Sequence, residues 1–427
     1  MSKIKNIVAR EILDSRGHPT VEVDVYIDEH KFARAASPSG ASTGINEAHE
    51  LRDEDSKRFF GRGVEKAVNN VNELIKPMLL GKDSLDQKSI DKMLLELDGT
   101  KTRSMLGSNA IVATSMAVLK AAALSQNKSL FKYLNNKAHT LPVPMINILN
   151  GGVHADNDLD IQEFMIMPIG AKSIKEAVRM GAEIFDSLRS VLSSKNLGTS
   201  VGDEGGFAPN IKYDRDALEF IIQAVENSGY KMGTDIVLAL DVAATELYRN
   251  NQYHFKGVGK SLSAEQLIAY YDELSRDYPI YSIEDGMAEQ DYKGWSDITR
   301  TLGDRLQLVG DDVFVTNKEI LSKCISKKIG NAILIKPNQV GTVTETFETI
   351  KLAHSKGYEC VMSHRSGETE DVTISHLAVA MGCSQIKIGS VCRVDRTAKY
   401  NELIRISEEL GSSSSYKSLK NFYEVLS

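Results

Sequence analysis

The ten residues AILIKPNQVG at 332–341 combine a short apolar run with a lysine at its end. Residues 332–335 are apolar at every position, which is typical of a parallel strand covered on both faces. Lys336 follows this strand, where partial desolvation lowers the pKa of an amine and allows it to act as a base. Taken alone, the pattern also fits a lysine whose stem packs on apolar surface while its amine reaches water. The ends of the other strands decide between the two interpretations.

The composition is that of an acidic globular chain. Its 427 residues are 42% hydrophobic and 26% charged, which is ordinary for a globular protein but too long for one average domain. The formal net charge of −7 argues against a general affinity for nucleic acid or anionic membranes. The four cysteines form no CxxC pair, and neither a signal-like start nor an apolar run of membrane length is apparent, so we expect a cytoplasmic protein.

The N-terminal third predicts an α+β domain, at residues 1–138. The periodicities predict, in order, strands at 4–12, 20–27 and 31–36, then helices at 61–79, 86–97 and 108–125. Strands followed by helices, without alternation, are typical of this class. Between them, residues 37–44 include the small-residue stretch PSGASTG. It lacks the lysine of a nucleotide-binding P-loop, and we predict a mobile lid whose hydroxyls, on Ser39, Ser42 and Thr43, reach a phosphate or a metal.

Residues 139–427 have a different pattern, with apolar runs that recur at intervals. They are MINILN from 145, FMIMP from 164, IVLAL from 236, IYSI from 280, LQLV from 306, AILI from 332, ECVMS from 359 and QIKIG from 385. About eight strands with helices between the later ones predict an eight-stranded α/β barrel of the (β/α)8 type. The first two runs are too close together for a helix between them, so an irregular, antiparallel start is expected.

Charged residues end the later strands. Three successive strands end in acids, at Asp241, Glu284-Asp285 and Asp311-Asp312, and the next three end in cations, at Lys336, His364-Arg365 and Lys387. A single acid after a strand is commonly a helix N-cap. The carboxyl ends of barrel strands meet at one face, however, and that face carries the active site. The series as a whole therefore predicts a site.

The two halves of this face indicate different ligands. Converging carboxylates repel one another unless a cation lies among them, and oxygen ligands without cysteine favour Mg²⁺. The cationic half suits an anionic substrate with carboxylate or phosphate groups. A divalent metal beside a lysine base fits the removal of a proton next to a carboxylate.

Two loops add further candidates. VGDEGGFAPN at 201–210 places Asp203 and Glu204 in a glycine-rich turn whose backbone can approach a ligand. NGGVHADNDLDIQEF, from residue 150, carries His154, Gln162 and Glu163. A solvated surface turn and a structural histidine are the alternatives for these two loops.

Longer motifs resemble a known family. The strings are DSRGHPTVEVDV, PSGASTG, NGGVHADN, DIQEFMIMP, VGDEGGFAPN, SIEDGM, LVGDDVFVTN, LIKPNQVGTVTET, SHRSGETED and AKYNELIRISEEL. From about Ile4 to Leu410 the chain resembles the enolases, and the HADN form is similar to the bacterial type. The resemblance implies a glycolytic lyase, phosphopyruvate hydratase, that reversibly dehydrates 2-phosphoglycerate to phosphoenolpyruvate with two Mg²⁺ per site. It also implies a homodimer, with an octamer as the alternative.

The resemblance assigns roles to single residues. Lys336 is similar to the base that takes the C2 proton, and Glu204 to the acid that helps the C3 hydroxyl to leave. The implied metal ligands are Asp241, Glu284, Asp311 and, from the lid, Ser42. The implied substrate contacts are His154, Gln162, Glu163, Glu284, Asp311, Lys336, His364, Arg365, Ser366 and Lys387.

These roles require particular protonation states. Lys336 must be neutral before it accepts a proton; Lys387 and the metals lower its pKa, whereas the carboxylates raise it. Glu204 must be protonated when the hydroxyl leaves, and we expect the neighbouring Glu163 carboxylate to raise its pKa.

Two other functions remain compatible with the sequence. One is a different acid-sugar dehydratase or racemase on the same barrel, against which the lid and the SHRSGETED loop argue, since both resemble phosphate-handling parts of the enolases. The other is a non-catalytic or additional adhesin-like role, with a secondary surface or secreted pool. The leading expectation is a small-molecule enzyme without a nucleic-acid partner or a membrane span.

Overall fold

The N-terminal part is built on a three-stranded antiparallel sheet. The computed structural model describes residues 2–41, 44–417 and 419, so Ser42 and Thr43 of the expected lid lie outside the described residues. The strands β1 (Asn6–Leu13), β2 (Pro19–Tyr26) and β3 (Phe32–Ala36) pair in sequence order. All three predicted strands are present.

Helices cover this sheet. They are α1 (Glu65–Asn69), continued through a π-helical turn at Asn70–Ile75 into α2 (Lys76–Leu79), then α3 (Gln87–Asp98), α4 (Ser108–Ser125) and α5 (Leu130–Leu134). Among the described residues, α4 is the one helix long and apolar enough to cross a membrane, although no such run was predicted. Its window is 83% buried, because it packs on β2 and β3. In this fold α4 is a core helix.

The remainder forms a closed barrel of eight strands. In chain order the strands after β3 are β4 (Thr140–Leu141), β5 (Val143–Asn150), β6 (Glu163–Met167), β7 (Val237–Asp241), β8 (Tyr248–Arg249), β9 (Gln252–Phe255), β10 (Lys260–Leu262), β11 (Ile280–Glu284), β12 (Gln307–Gly310), β13 (Ala332–Ile335), β14 (Glu359–Ser363), β15 (Gln385–Lys387) and β16 (Ser415–Tyr416). The barrel order is β11-β12-β13-β14-β15-β5-β6-β7. The predicted α+β part followed by an eight-stranded barrel is confirmed.

The irregular, antiparallel start of the barrel is confirmed, and it includes one more antiparallel pairing than predicted. β6 is antiparallel to β5, as the short spacing indicated, and it is also antiparallel to β7. The other barrel neighbours are parallel. The helices of this part are α6 (Ile174–Ser194), α7 (Asp214–Asn227), α8 (Ala244–Leu247), α9 (Ala264–Asp277), α10 (Tyr292–Leu302), α11 (Lys318–Ser326), α12 (Val343–Ser355), α13 (Thr373–Met381) and α14 (Val394–Leu410).

The apolar strands have two buried faces, and β13 shows both. Ala332 and Leu334 belong to a compact cluster formed with residues of the other barrel strands, whereas Ile333 and Ile335 pack in the larger cluster that includes the helices. Successive side chains of a strand point to opposite faces. The first pair therefore fills the barrel interior, and the next inward position along the chain is Lys336.

The N-terminal part contacts the barrel near the carboxyl ends of its strands. Ser39, within the expected lid, exchanges two backbone hydrogen bonds of 2.8 Å with Gly367. The Ser15 amide donates to the Glu368 carbonyl at 2.7 Å, and the Ala41 amide donates to Ser366 Oγ at 3.2 Å. The lid segment is thus joined directly to the loop that follows β14.

Candidate active site

The side chains at the barrel mouth continue the inward series of the strands. Asp241 ends β7, Asp311 follows β12, Lys336 follows β13 and Lys387 ends β15. Because inward and outward positions alternate, a charge two residues beyond an interior apolar residue also faces the barrel axis. These charges line one cleft together with residues from other strand ends and from the neighbouring loops, namely His154, Gln162, Glu163, Glu204, Ser363, His364, Arg365 and Ser366.

Lys387 is surrounded by carboxylates. Its Nζ donates to Asp241 Oδ2 at 2.8 Å and to both oxygens of Glu284 at 2.9 Å, and it lies 3.3 Å from Glu163 Oε1. Burial acts to lower the pKa of this amine, but the three acids outweigh it and raise the pKa well above its usual range. Lys387 is therefore a fixed cation of the site.

Lys336 is paired with a single acid. Its Nζ donates to Asp311 Oδ2, while Gln339 Nε2 donates to the other oxygen of that carboxylate at 2.9 Å. Burial acts to lower the pKa of Lys336, but Asp311 outweighs it and the pKa is raised. Of the opposing influences expected from the sequence, the carboxylate prevails, so the amine is protonated while this ion pair persists.

A strained residue orients the Asp311 loop. Asp285 adopts a positive φ of 42°, a conformation that is uncommon for a residue with a β-carbon. Its carboxylate accepts hydrogen bonds from the amides of Asp311, at 2.9 Å, and Asp312, at 3.1 Å. The side chain that follows β11 thereby fixes the backbone that follows β12.

The two glycine-containing loops meet over the cleft. His154 Nδ1 lies 3.4 Å from Glu163 Oε1 and 3.9 Å from Glu204 Oε2. Asn147, from the interior of β5, donates to Glu204 Oε2 at 3.3 Å. His364 Nε2 lies 3.4 Å from the same oxygen. Glu204 therefore accepts a hydrogen bond from the Asn147 amide and lies between two imidazoles.

The protonation pattern of this group differs from the expectation. Burial and the nearby Glu204 charge raise the pKa of Glu163 to about 7. Burial also acts to raise the pKa of Glu204, but the His364 and His154 imidazoles lower it well below its usual value. The predicted rise at Glu204 is therefore wrong, because its contacts with the imidazoles outweigh the repulsion from Glu163.

The two histidines carry different charges. Burial acts to lower the pKa of His154, but Glu204 and Glu163 outweigh it and raise the pKa to about 9. Burial lowers the pKa of His364 to about 3, because the nearby Glu204 does not compensate for it. At neutral pH, His154 is a cation and His364 is a neutral hydrogen-bonding partner.

Arg365 forms the cationic side of the mouth. Its Nη1 donates to Glu47 Oε2 at 2.8 Å and its Nη2 to Glu47 Oε1 at 3.3 Å. Glu47 Oε1 also accepts from the Gly44 amide at 3.0 Å and from Gln339 Nε2 at 3.2 Å. A carboxylate next to the expected lid therefore contacts the guanidinium that we predict to bind an anion.

Most predicted site residues lie together. The residues to which the resemblance assigns a role all line the cleft except Glu284, which contacts Lys387, and Ser42, which lies outside the described residues. The further candidates Ser39, Asp203, Asp285 and Asp312 are not in its lining. The predictions missed Glu47, Asn147, Gln339 and Ser363, and also Arg396, which donates to the backbone carbonyls of Arg365 and Ser366. The sequence contains a feature that could have identified Asn147, since it is a polar residue within a buried apolar strand. No such feature marks Arg396, which lies within a helix.

The acids form two groups that have the geometry to hold a metal ion. Ligand atoms within 4.8 Å of one another occur in the groups His154, Glu163, Glu204 and Asp285, Asp311, Asp312. The predicted ligands are arranged differently, because Asp241 and Glu284 converge on the Lys387 amine whereas Asp311 faces Lys336. The carboxylates thus point at cationic positions, which fits oxygen ligation of a hard divalent ion.

Two family models together match nearly the whole chain. The model described as "Enolase, N-terminal domain" matches residues 4–134. The model described as "Enolase, C-terminal TIM barrel domain" matches residues 138–425. The first contains the antiparallel sheet with its helices, and the second contains the eight barrel strands.

Proposed function

The chain belongs to the enolase family of metal-dependent lyases, and from this premise we propose that it reversibly dehydrates 2-phosphoglycerate to phosphoenolpyruvate. The observation that carries the proposal is the arrangement at the barrel mouth. Acids from three adjacent strands, Asp241, Glu284 and Asp311, face two lysine amines within ion-pair distance. This charge distribution suits a substrate whose carboxylate must gain further negative charge during reaction.

The donor set fits Mg²⁺ as the metal. Asp241, Glu284 and Asp311 would hold one ion, because their ligand atoms are all oxygens and no cysteine lines the cleft among the described residues. Burial and the nearby Asp241 charge raise the pKa of Glu284 well above its usual range, as expected for carboxylates that face each other. Bound Mg²⁺ would supply positive charge to the substrate carboxylate, and ligation of Asp311 would remove the charge that keeps Lys336 protonated.

Proton removal is assigned to Lys336. Its neutral Nζ takes the proton from C2, and the electron pair of the C–H bond moves toward the adjacent carboxylate. Lys387, which keeps the Glu163 carboxylate beside it when the metal takes Asp241 and Glu284, lies across the same mouth and favours this gain of charge. Asp311 controls the base because it is the acid that raises the pKa of Lys336.

Loss of the hydroxyl is assigned to Glu204. The electron pair returns to form the C2–C3 double bond, the C3–O bond breaks, and the leaving oxygen takes a proton to depart as water. That proton comes through Glu204, whose neighbours hold protons at neutral pH. His154 has its pKa raised to about 9 and Glu163 to about 7. The group His154, Glu163 and Glu204 therefore serves as the acid of the reaction.

The phosphate is assigned to Arg365 and Ser366. A guanidinium can bind two phosphate oxygens at once, and Arg365 already binds both oxygens of Glu47. A phosphate would compete with that carboxylate. Because Glu47 also accepts the Gly44 amide, substrate binding would be coupled to the end of the lid.

The test is an absorbance assay that follows phosphoenolpyruvate formed from 2-phosphoglycerate. Activity is expected with Mg²⁺, and it should disappear with EDTA and return when Mg²⁺ is added in excess. No product at saturating substrate and metal would overturn the proposal. Equal turnover of a 2-hydroxy acid that lacks the phosphate would instead support the acid-sugar dehydratase.

A further inference from the structure

A buried arginine on α14 lies beneath the loops of the site. Arg396 has no exposed surface, and its guanidinium binds three backbone carbonyls of two different loops. Nη1 donates to the Arg365 carbonyl at 2.7 Å, and Nη2 donates to the carbonyls of Ser366 at 2.6 Å and Asp203 at 3.2 Å. One side chain thus joins the loop after β14 to the turn that carries Glu204.

The same guanidinium also contacts an imidazole. Arg396 Nη1 lies within hydrogen-bond distance of His364 Nδ1. A guanidinium in a protein only donates hydrogen bonds and does not lose its proton, so Nδ1 must be the acceptor in this contact. A neutral imidazole carries one proton on its two nitrogens, and that proton must then reside on Nε2.

The other nitrogen faces the proposed acid. His364 Nε2 lies 3.4 Å from Glu204 Oε2, and the ring is 2% exposed, so the protein and not water sets its hydrogen bonds. With the proton on Nε2 the ring donates to the carboxylate. With the proton on Nδ1, two donors would face each other at Arg396 and two acceptors at Glu204.

We propose that Arg396 is a positioning residue that fixes His364 in the Nε2–H tautomer and thereby directs its N–H group at the Glu204 carboxylate. Arg396 acts through His364 and does not touch the cleft itself. The tautomer follows from the contacts alone, whereas its effect on turnover rests on the proposed function.

The geometry requires an arginine at this position. The planar fork presents several donors in a fixed arrangement, and here they reach one imidazole nitrogen and three carbonyls. Asp395 Oδ2 lies 2.7 Å from Nε on the other side of the guanidinium. A lysine would offer a single nitrogen and could not hold both loops and the imidazole.

The tautomer can be read directly by nuclear magnetic resonance. The histidine rings are labelled with ¹⁵N, and two-bond ¹H–¹⁵N correlations distinguish protonated from unprotonated ring nitrogens without substrate or metal. The His364 signals are assigned by their loss in His364→Gln. The test variant is Arg396→Met, which removes the donors. Arg393→Met is the matched control, because Arg393 precedes the same helix and donates to the Ser15 carbonyl instead.

In the wild-type protein, His364 is expected to be protonated on Nε2 alone. Arg396→Met is expected to give the Nδ1–H form or a mixture of both tautomers, and Arg393→Met should leave the wild-type pattern. An Nδ1–H ring in the wild-type protein would overturn the proposal, and so would an unchanged tautomer in Arg396→Met. If Arg396→Met does not fold, the wild-type spectrum still decides, because the proposal requires His364 to be protonated on Nε2 alone.

Kinetics then test the consequence. Arg396→Met is expected to lower kcat for dehydration by about 10- to 100-fold with KM changed less than about threefold, the effect of a misoriented catalytic group. A change confined to KM would contradict the positioning role. If the wild-type protein does not dehydrate 2-phosphoglycerate, the proposed function fails while the tautomer measurement still stands as a separate result.

Discussion

Residues of the same type have different surroundings in this site, and the sequence predicts only part of the difference. Lys336 follows β13 and Lys387 ends β15, so their place at the barrel mouth follows from the order of strands. Their partners do not, because Lys387 meets three acids whereas Lys336 meets Asp311. Which acid a lysine pairs with depends on how far each side chain extends across the barrel. The spacing of the strands along the sequence does not predict that distance.

The carboxylates show the same limit. Glu163 and Glu204 are both buried acids of this site, yet the pKa of Glu163 is raised to about 7 and that of Glu204 is lowered. The difference depends on His364, which lies far along the chain and next to only one of the two acids. No local pattern contains that contact.

The first prediction concerns Glu204→Gln. It should retain exchange of the C2 proton with solvent, because Lys336 is unchanged, but dehydration should fall by about 100-fold or more since the amide cannot donate an acidic proton. Exchange is measured by ¹H NMR in D₂O and dehydration by absorbance. Asp203→Asn, at the exposed neighbouring acid, is the control. Equal loss of both rates in Glu204→Gln would indicate a structural role instead.

At the scale of elements, apolar runs predicted all eight barrel strands, because each is buried on both faces. The small sheet of β8, β9 and β10 was missed, since its strands are two to four residues long and mostly polar. The antiparallel pairing of β6 with β7 was missed as well. The direction of a strand in a closed barrel depends on how the whole barrel closes, and the residues of the strand itself do not reveal it.

The second prediction concerns the turn that carries Glu204. Gly205 has a φ of +85°, and a β-carbon there would lie 2.6 Å from the Cys392 carbonyl oxygen. Gly205→Ala should lower the free energy of unfolding by about 1–2 kcal/mol or more and dehydration by about tenfold or more, because Glu204 moves. Urea unfolding and the absorbance assay check these changes.

Gly198→Ala is the matched control for that turn. Gly198 lies a few residues earlier in the same connection, and a β-carbon there would have no atom within 4 Å. Its stability and activity should stay close to those of the wild-type protein. If Gly205→Ala behaves in the same way, the turn does not need glycine to hold Glu204.

At the scale of the whole molecule, a buried carboxylate joins the N-terminal helices to the barrel. Asp91 on α3 accepts from Ser115 Oγ of α4 at 2.6 Å and from the Thr344 amide of α12 at 3.0 Å. Composition and motifs indicated the order of the two parts, but they did not indicate the Asp91 contacts that join them.

The division of the chain at residue 138, the cytoplasmic location and the dimer remain predictions.

The third prediction concerns the pH dependence of stability. Burial raises the pKa of Asp91 from 3.8 to about 6, so the folded state holds this proton more tightly than the unfolded state. The contribution of Asp91 is therefore fully present only below the unfolded pKa of 3.8 and is lost as the pH rises through about 6, with a total range of about 3 kcal/mol. Asp91→Asn should lack this dependence.

Urea unfolding of the wild-type protein and Asp91→Asn at about pH 4 and pH 7 measures the effect. The stability of the wild-type protein relative to the variant should fall by about 2 kcal/mol between the two conditions, because the unfolded carboxyl is already partly ionised at pH 4. Glu96→Gln, at an acid of the same helix whose side chain is 64% exposed, is the control and should show little change. A constant difference between the wild-type protein and Asp91→Asn would contradict the assignment.

The central claim is that Lys336 removes the C2 proton of 2-phosphoglycerate, and solvent exchange at C2 tests it most directly. ¹H NMR in D₂O follows the C2 signal with the wild-type protein and with Lys336→Ala, at metal concentrations that saturate each protein by calorimetry. We predict exchange in the wild-type protein and a rate lower by about 100-fold or more in Lys336→Ala, with Mg²⁺ still bound. Exchange at the wild-type rate in Lys336→Ala would contradict the account.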